Sequence, residues 1–311
     1  MLLDQWQKQG KQIELYGQHY FYTVAGEGAP LLLLHGFPTA SWDWHLVWPE
    51  LTKYYKVIAV DMLGYGFSDK PKNFNYTVCH QANAIEALLE HLKIQHYFLL
   101  THDFGNTVGQ ELLARQRDGS ATSTISKMML LNGGIFPESH RIVLIQKLLL
   151  TRFGHFIALK FKYKHLVRNF SNICSQPLTD EQLTSIWQLI NHNDGISVMA
   201  DLIKYIDERY RRRPRWAGAL MYPTCPVRFV CGLDDPISGE HMLERYREVI
   251  PNADTVGLNE VGHYPQLEAP QQVIDQVLSF FATQQQESQT EANYHESLHP
   301  TMAKMLKMNQ R

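Results

Sequence analysis

Continuously apolar runs alternate with amphipathic segments along most of the chain. The runs suit strands that are buried on both faces of a sheet, and the segments between them repeat apolar residues at helical spacing. Strands are predicted at 29–36, 56–62, 97–102 and 127–131, and helices at 41–53, 82–92 and 106–117. Such alternation predicts an α/β fold with a doubly wound, mostly parallel sheet and right-handed crossovers.

The segment KQIELYGQHYFYTVAG, residues 11–26, alternates apolar and polar residues instead. Alternation with a period of two is typical of strands with one solvated face. A break near Gly17 predicts an antiparallel hairpin ahead of the parallel strands. The helix that follows the third strand is expected to pack through its tryptophans, Trp42, Trp44 and Trp48.

The alternation stops at Ile135 and resumes only after Pro223. The segment between them is helical in pattern and predicts a cap over the carboxyl edge of the sheet, where ligands bind in open α/β folds. After it, strands are predicted at 226–235 and 254–260, and helices at 240–249 and 271–282. The predicted domains are a core of 1–134 and 224–284, a helical cap of 135–223 inserted after the sixth strand, and a polar, disordered tail of 285–311.

Composition narrows the class of protein further. The 311 residues are 44% hydrophobic and 19% charged, with a formal net charge of −2, so neither a nucleic-acid nor a membrane partner is expected from the overall charge. The four cysteines are scattered, which suits a reducing cytoplasm. The N-terminus does not have the pattern of a signal peptide, and no apolar run is long enough to span a bilayer. We expect no metal and no cofactor.

The stretch FLLTHDFGNTVG, residues 98–109, predicts a strand, a sharp turn and a helix, with Asp103 at the tip. A nucleophile elbow has this form and needs small residues two before and two after the nucleophile. Gly105 fits, and Thr101 is larger than usual. The sequence predicts Asp103 as a nucleophile, with a helix N-cap as the alternative.

A second loop, in LLLLHGFPTASWDW, follows the strand at 29–36. Its position places the backbone N–H of Phe37 beside the elbow. Together with the N–H of Phe104 it would form an oxyanion hole. The alternative is an ordinary turn after a strand.

Two further loops supply an acid and a histidine. VCGLDDPISG offers Asp234 and Asp235, and we favour Asp235 because it stands three residues after Gly232 and precedes a proline. His263 follows in LNEVGHYPQLEAP, and the chain order of nucleophile, acid and histidine is one known for catalytic triads. Asn132 lies at a strand end where an acid could stand, but it is uncharged, which strengthens Asp235.

These four loops resemble the α/β-hydrolase superfamily, on the branch with an aspartate nucleophile. DMLGYGFSDKP, residues 61–71, resembles a loop shared by epoxide hydrolases and haloalkane dehalogenases. The segments LLNGGIFPESHR, NDGISVMADLIKYIDER, RRPRWAGAL and HYPQLEAP resemble the mesoderm-specific transcript family, which is epoxide-hydrolase-like. The resemblance covers roughly residues 13 to 283 and implies an α/β-hydrolase fold with a helical cap.

A carboxylate at the elbow implies a particular reaction. It is a poor nucleophile toward carbonyls, but it can displace a leaving group from sp³ carbon and become an alkyl ester. His263, oriented by Asp235, would then activate a water that attacks the ester carbonyl of Asp103. The expected substrate is a small apolar molecule bound between core and cap.

The leaving group decides between an epoxide and a halide. Phe37 and Phe104 have no side-chain donor for a halide, whereas an epoxide needs a proton donor, commonly a cap tyrosine. The candidates are Tyr205, in LIKYIDER, and, more weakly, Tyr163. The basic run RYRRRPRW, residues 209–216, is interpreted as a solvated cap edge rather than an anion site, and His102 as structural.

The sequence thus predicts a hydrolase with an alkyl-enzyme intermediate, most simply an epoxide hydrolase. A haloalkane dehalogenase or another α/β hydrolase is the alternative enzyme. A binding or regulatory protein that kept the fold without turnover is the alternative from another class. Thr101 and the unusual neighbours of Tyr205 favour that last alternative, and the intact set of catalytic residues argues against it.

Overall fold

The computed structural model describes residues 1–282, and one eight-stranded sheet forms the centre of this part of the chain. The strands are β1 (Lys11–Leu15), β2 (Gln18–Ala25), β3 (Ala29–Leu34), β4 (Tyr55–Val60), β5 (His96–Thr101), β6 (Thr124–Leu130), β7 (Val227–Gly232) and β8 (Asp254–Leu258). Their spatial order is β1-β2-β4-β3-β5-β6-β7-β8. β2 is antiparallel to both of its neighbours, and all other pairs are parallel. The predicted doubly wound, mostly parallel sheet is confirmed.

Thirteen α-helices surround the sheet in the described residues. Those of the core are α1 (Leu3–Gln9), α2 (Trp48–Leu51), α3 (Val78–His91), α4 (Phe104–Asp118), α11 (Glu240–Val249), α12 (Pro265–Glu268) and α13 (Pro270–Phe281). Those between β6 and β7 are α5 (Leu144–Leu149), α6 (Gly154–Leu159), α7 (Tyr163–Ile173), α8 (Asp180–Asn191), α9 (Met199–Leu202) and α10 (Tyr205–Met221). None of the helices described is long and apolar enough to cross a membrane. The tail predicted at 285–311 lies outside the described residues.

The central strand β3 brings the functional loops to one edge of the sheet. Its residues Leu31–Leu34 are completely buried, as expected for a strand covered on both faces. Leu34 at its carboxyl end is paired with Thr101 of β5 on one side and Val60 of β4 on the other. The loop after β3 and the turn after β5 therefore lie side by side.

One local prediction near the N-terminus is wrong, and one helix there was not predicted. The helix predicted at 41–53 is a 3-10 turn at Ser41–Trp44 followed by the short α2, which has a proline in its first turn. Helix α1 was not predicted, because a single tryptophan supplies its burial. Trp6 is fully buried, lies 4.8 Å from the ring of Trp48, and donates its indole N–H to Ser41.

Helix α10 of the cap lies along α4 of the core. The indole N–H of Trp216 donates to Glu111 at 2.8 Å, and the guanidinium of Arg215 pairs with the same carboxylate at 2.8 Å. One turn from the elbow, Nε of Arg209 donates to the hydroxyl of Thr107 at 2.7 Å. These contacts fix the register of the two helices and place the first turns of α10 directly over Asp103.

Candidate active site

Asp103 stands at the tip of a sharp turn between β5 and α4. Its φ of 44° and ψ of −105° are strained values, of the kind that active-site residues hold when their surroundings enforce them. Gly105 permits the close approach, because a Cβ there would lie 2.4 Å from the carbonyl oxygen of Leu34. The Asp103 side chain makes no capping hydrogen bond to α4. The turn has the shape of a nucleophile elbow, and the contacts of Asp103 are not those of a helix cap.

Thr101 fits this turn despite its size. Its hydroxyl donates to the Asn106 side chain at 2.6 Å, and Asn106 donates in turn to the carbonyl of Leu131. Its methyl group faces Gly109, where a Cβ would lie 3.1 Å away. The departure from a smaller residue therefore leaves the geometry of the elbow intact and gives no support to a loss of function.

The predicted oxyanion donors lie at the elbow. The backbone N–H of Phe37 donates to Oδ2 of Asp103 at 3.1 Å. Phe104 is the first residue of α4, where backbone N–H groups have no acceptor within the helix. One carboxylate oxygen of Asp103 thus already contacts a group suited to hold an oxyanion formed on that side chain.

His263 is paired with Asp235. Nδ1 of the imidazole lies 2.7 Å from Oδ2 of the carboxylate, and both residues are buried. The carboxylate also accepts from the hydroxyl of Ser238 at 2.6 Å and from the backbone N–H of Ile237 at 2.8 Å. Asp234, the competing acid, is exposed. The structure therefore brings Asp235, and not Asp234, to the histidine.

Asn132 belongs to this site, although the sequence reasoning used it only by exclusion. Its amide nitrogen donates to Oδ2 of Asp235 at 3.0 Å, and its amide oxygen accepts from the N–H of Gly232 at 2.7 Å. Because β6 and β7 are adjacent, a polar residue after β6 can reach the acid after β7. Asn132 orients the acid that it cannot replace.

His102 supports the histidine from behind. Its Nε2 lies 2.7 Å from the backbone carbonyl of His263, so this nitrogen carries a proton and donates it. The ring is completely buried, and this burial, together with the nearby His263, lowers the pKa of His102 to about 3. His102 is therefore a neutral ring that holds the backbone of His263. This agrees with the structural role expected for it from the sequence.

Arg209 is buried over Asp103, so the interpretation of residues 209–216 as a solvated edge is wrong at this position. Its side chain is 1% exposed. Nη2 donates to the backbone carbonyl of Asp103 at 3.2 Å and lies 3.6 Å from Oδ1 of its carboxylate. Among the described residues Nη1 has no hydrogen-bond partner. The helical pattern gave no signal for this, since an arginine on a cap helix is usually solvated.

This guanidinium keeps Asp103 ionised. Burial raises the pKa of Asp103, but the charges of Arg209 and His263 lower it by more, and the net pKa lies below that of an ordinary aspartate. An ionised carboxylate is the form that can attack carbon. Asp103 is therefore ionised without a neighbouring base to deprotonate it.

Replacing Arg209 with Met is expected to raise the pKa of Asp103, since the first opposing charge is lost while burial remains. The acid limb of a kcat/KM profile would then move to higher pH, and loss of the buried pair would cost about 3–5 kcal/mol in the free energy of unfolding. Arg209→Lys should restore part of the lost stability and move the acid limb part of the way back. Arg215→Met, on the same helix but paired with Glu111, is the matched control. An unmoved acid limb in Arg209→Met would contradict this role.

Tyr205 lies at the site, and Tyr163 does not. Tyr205 is completely buried, with its ring 4.5 Å from that of Phe104 and 4.6 Å from the guanidinium carbon of Arg209. Its hydroxyl makes no hydrogen bond of normal geometry to a described residue. Burial and the charge of Asp103 raise the pKa of Tyr205. Tyr163 instead packs on α8, against Trp187, because it begins a helix on the far side of the cap.

The histidine is positively charged in the resting site. Burial lowers its pKa, but the carboxylates of Asp235 and Asp103 raise it by more, and the pKa of His263 rises to about 9. The pKa of Asp235 shifts in the opposite direction. Burial raises it, but the contacts of Asp235 with His263 and Ser238 lower it by more, to about 2. The contact with Asp235 and the charge of Asp103 thus favour the protonated imidazole of His263.

The raised pKa of His263 makes stability depend on pH. An unfolded histidine has a pKa near 6.5, so the stabilisation is fully present below that pH and is lost as the pH rises toward 9. We expect the free energy of unfolding of wild type to fall over this interval, and that of His263→Gln to stay flatter. Denaturant titrations at several pH values measure both. Parallel curves would show that His263 is not the titrating group.

A cavity of about 560 Å³ opens between core and cap. Its wall is mostly apolar and includes Phe37, Val143, Leu148, Phe170 and Ile237, together with His263. Asp103 is not part of the wall, but Phe37, whose backbone N–H donates to Asp103, is part of it. Among the described residues, no group of three or more His, Cys, Asp or Glu side chains could hold a metal ion. The arrangement suits a small apolar ligand.

Comparisons with known proteins agree with the fold. A family model described as alpha/beta hydrolase fold matches residues 29–270. The mesoderm-specific transcript protein of Mus musculus is 39% identical over 297 residues, which are 89% of this chain and 87% of that protein.

Two solved structures share the fold. The epoxide hydrolase CorEH has a TM-score of 0.71 and 23% identity, with 88% of this chain and 98% of that chain covered. A loop variant of the haloalkane dehalogenase DbeA from Bradyrhizobium elkanii has a TM-score of 0.72 and 18% identity, with 87% and 95% covered. At these identities the two structures confirm the fold expected from the sequence, and they leave the substrate open.

Proposed function

Because the chain belongs to the α/β-hydrolase fold family and is an α/β-fold hydrolase, we propose that it opens small epoxides through an ester of Asp103. The observation that carries the proposal is an ionised carboxylate, rather than a hydroxyl, at the elbow tip, with one oxygen on the N–H of Phe37. That contact leaves the other oxygen for attack on carbon. The proposal follows from what such a carboxylate can do in this place.

In the first step the free oxygen of Asp103 attacks an sp³ carbon of the ring. The C–O bond of the epoxide breaks, and its electron pair stays on the ring oxygen, which needs a proton. Asp103 becomes a neutral ester, so Arg209 loses its counter-charge and can stabilise the developing alkoxide. A buried guanidinium without a counter-charge is costly. The site therefore favours substrates whose leaving group stays beside Arg209 as an anion or takes up a proton there.

The second step follows from the same loss of charge. Asp103 is one of the two carboxylates that raise the pKa of His263, and esterification neutralises it. The pKa of His263 then falls, and the imidazole can release its proton and accept one from water. The hydroxide formed attacks the ester carbonyl, and the N–H groups of Phe37 and Phe104 hold the tetrahedral oxyanion. Its collapse breaks the bond between the carbonyl carbon and the alkoxy oxygen, His263 gives the proton that it took from water to the leaving alkoxide, and Asp103 is a carboxylate again.

Tyr205 is the proton donor in this proposal, and its replacement is the experiment that tests the epoxide reaction. Tyr205→Phe keeps the ring in its contacts with Phe104 and Arg209 and removes only the hydroxyl. We expect ring opening to slow by about 10²-fold, within the range for one acid catalyst, while hydrolysis of the ester is unchanged. Single-turnover kinetics with an epoxide separates the two rates.

The matched control is Tyr163→Phe, which removes a hydroxyl from the other cap tyrosine. An unchanged alkylation rate in Tyr205→Phe would exclude the donor role. Absence of turnover with any member of an epoxide panel would leave the dehalogenase or the non-catalytic alternative.

One observation favours a dehalogenase as the second candidate. Phe37 and Phe104 have no side-chain donor for a halide, but the guanidinium of Arg209 beside Asp103 has one, because its Nη1 has no hydrogen-bond partner among the described residues. A halide leaves without a proton, so Tyr205→Phe would then have little effect. Halide release from a panel of haloalkanes, measured beside epoxide turnover, distinguishes the two reactions.

A further inference from the structure

One part of the cap has an extreme charge composition. Between Ser139 and Thr179 the chain carries seven Lys or Arg residues and no Asp or Glu, although the whole chain has a formal net charge of −2. The seven are Arg141, Lys147, Arg152, Lys160, Lys162, Lys164 and Arg168. All of them are exposed. The cations of this segment therefore form a local positive surface that the overall charge conceals.

These cations have no partners within the described residues. None of the seven forms an ion pair there, whereas other arginines, such as Arg213, Arg228 and Arg245, do. The acidic residues that contact the segment do so through other groups. Asp201 meets His155 at 3.4 Å and is paired with Lys204 at 2.7 Å, and Glu268 accepts from the backbone N–H of Ser175 at 2.7 Å. Unpaired cations on a folded surface are available to an external anionic partner.

The same segment exposes large apolar side chains. Five of the twelve large hydrophobic residues that are exposed lie on or between α5 and α6: Leu144, Leu148, Phe153, Phe156 and Leu159. Within helix α5, Gln146 is buried while Leu144 is 72% exposed. Exposed apolar groups that cluster in this way mark an interaction site rather than ordinary surface.

Cations and aromatic rings alternate within this surface. The guanidinium carbon of Arg152 lies 4.7 Å from the ring centre of Phe153, and Nζ of Lys160 lies 5.2 Å from that of Phe156. Aromatic rings beside basic side chains are typical of segments that lie in a membrane interface, where the ring enters the acyl region and the cation meets lipid phosphates.

The surface surrounds the entrance to the cavity. Leu144, Leu148, Lys160 and Arg168 belong to it and also line the cavity that contains His263. A bilayer in contact with α5 and α6 would thus lie directly against the opening. Apolar molecules dissolved in the bilayer would reach the cavity without crossing water.

We propose that α5, α6 and the start of α7 dock on an anionic lipid bilayer, with Phe153 and Phe156 inserted and the seven cations facing lipid headgroups. The docking does not depend on the reaction proposed for Asp103, because binding is measured without turnover. An acidic protein could also pair with the cations, but it would not require the exposed aromatic side chains of α6. Binding to an acidic polymer distinguishes this alternative from a bilayer.

The test is binding of the full chain to lipid vesicles, measured by co-sedimentation. Vesicles of phosphatidylcholine with about one-third phosphatidylserine should bind it, and pure phosphatidylcholine should bind it weakly. Lys147→Gln with Arg152→Gln should weaken binding roughly thirtyfold, at about fivefold per cation. Phe153→Ser with Phe156→Ser should weaken it at least about tenfold, since two buried rings are lost.

Matched variants carry the same changes elsewhere. Lys8→Gln with Lys11→Gln removes two exposed, unpaired cations, and Tyr16→Ser with Tyr222→Ser removes two exposed rings. Both should bind as wild type does, and thermal melting shows that each variant is folded. Equal losses in the matched and the cap variants would overturn the proposal.

Insertion has its own readout. In Phe156→Trp, the added indole emission, taken as a difference from wild type, should shift to shorter wavelength with anionic vesicles and be quenched by brominated lipids. An unshifted spectrum, or undiminished vesicle binding by the Phe153/Phe156 double variant, would overturn insertion. Binding to polyglutamate as tight as to vesicles would assign the surface to an acidic protein instead.

Discussion

Replacement of Asp103 by Ala is expected to remove turnover, by about 10⁴-fold or more, because the group that attacks the substrate is gone. No neighbouring side chain can substitute for it. Asp235 is fully engaged with His263, Ser238 and Ile237. The measurement is the rate of substrate consumption, taken beside a thermal melt of the same sample.

Stability has to be controlled in this experiment, since the variant leaves Arg209 buried without its counter-charge. The double variant Asp103→Ala with Arg209→Met removes the orphaned charge and should recover part of the lost stability without recovering turnover. Asp234→Ala, at an exposed acid next to Asp235, is the control that should retain full activity. Residual turnover near the wild-type rate in folded Asp103→Ala would refute the nucleophile assignment.

Replacement of His263 by Gln is expected to stop the reaction at the covalent ester. Alkylation needs the ionised Asp103 and the proton donor Tyr205 but no base, whereas hydrolysis needs a base for water, so the ester should accumulate to about one per protein. Intact-mass measurement should show an increase equal to the whole epoxide, or to the alkyl group alone for a haloalkane. Peptide mapping should place the adduct on Asp103. His19→Gln, at an exposed histidine, should show no adduct at steady state.

An isotope experiment with wild type checks the same scheme independently. In water labelled with ¹⁸O, one turnover should place the label in the Asp103 carboxylate, because water attacks the ester carbonyl of the enzyme. Direct attack of water on the substrate would place it in the product alone. Label found only in the product, together with no adduct in His263→Gln, would exclude the two-step reaction.

The sequence by itself was sufficient for the fold class and for the loops of the candidate site. Buried parallel strands are continuously apolar, and the elbow at Asp103 needs a small residue such as Gly105 at a set spacing, so both leave a local pattern. The pairing of His263 with Asp235 rather than Asp234 also followed from spacing and chain order, and the 2.7 Å contact agrees with it.

Only the tertiary structure decided which polar residues surround Asp103. Arg209 and Asn132 are distant from it in sequence, and each is a residue type that is solvated in most places. Their roles depend on α10 lying along α4 and on β6 lying beside β7, and neither adjacency is encoded in a local pattern. For the same reason Tyr205 reached the site and Tyr163 did not, because packing between elements determines which face of a cap helix meets the core.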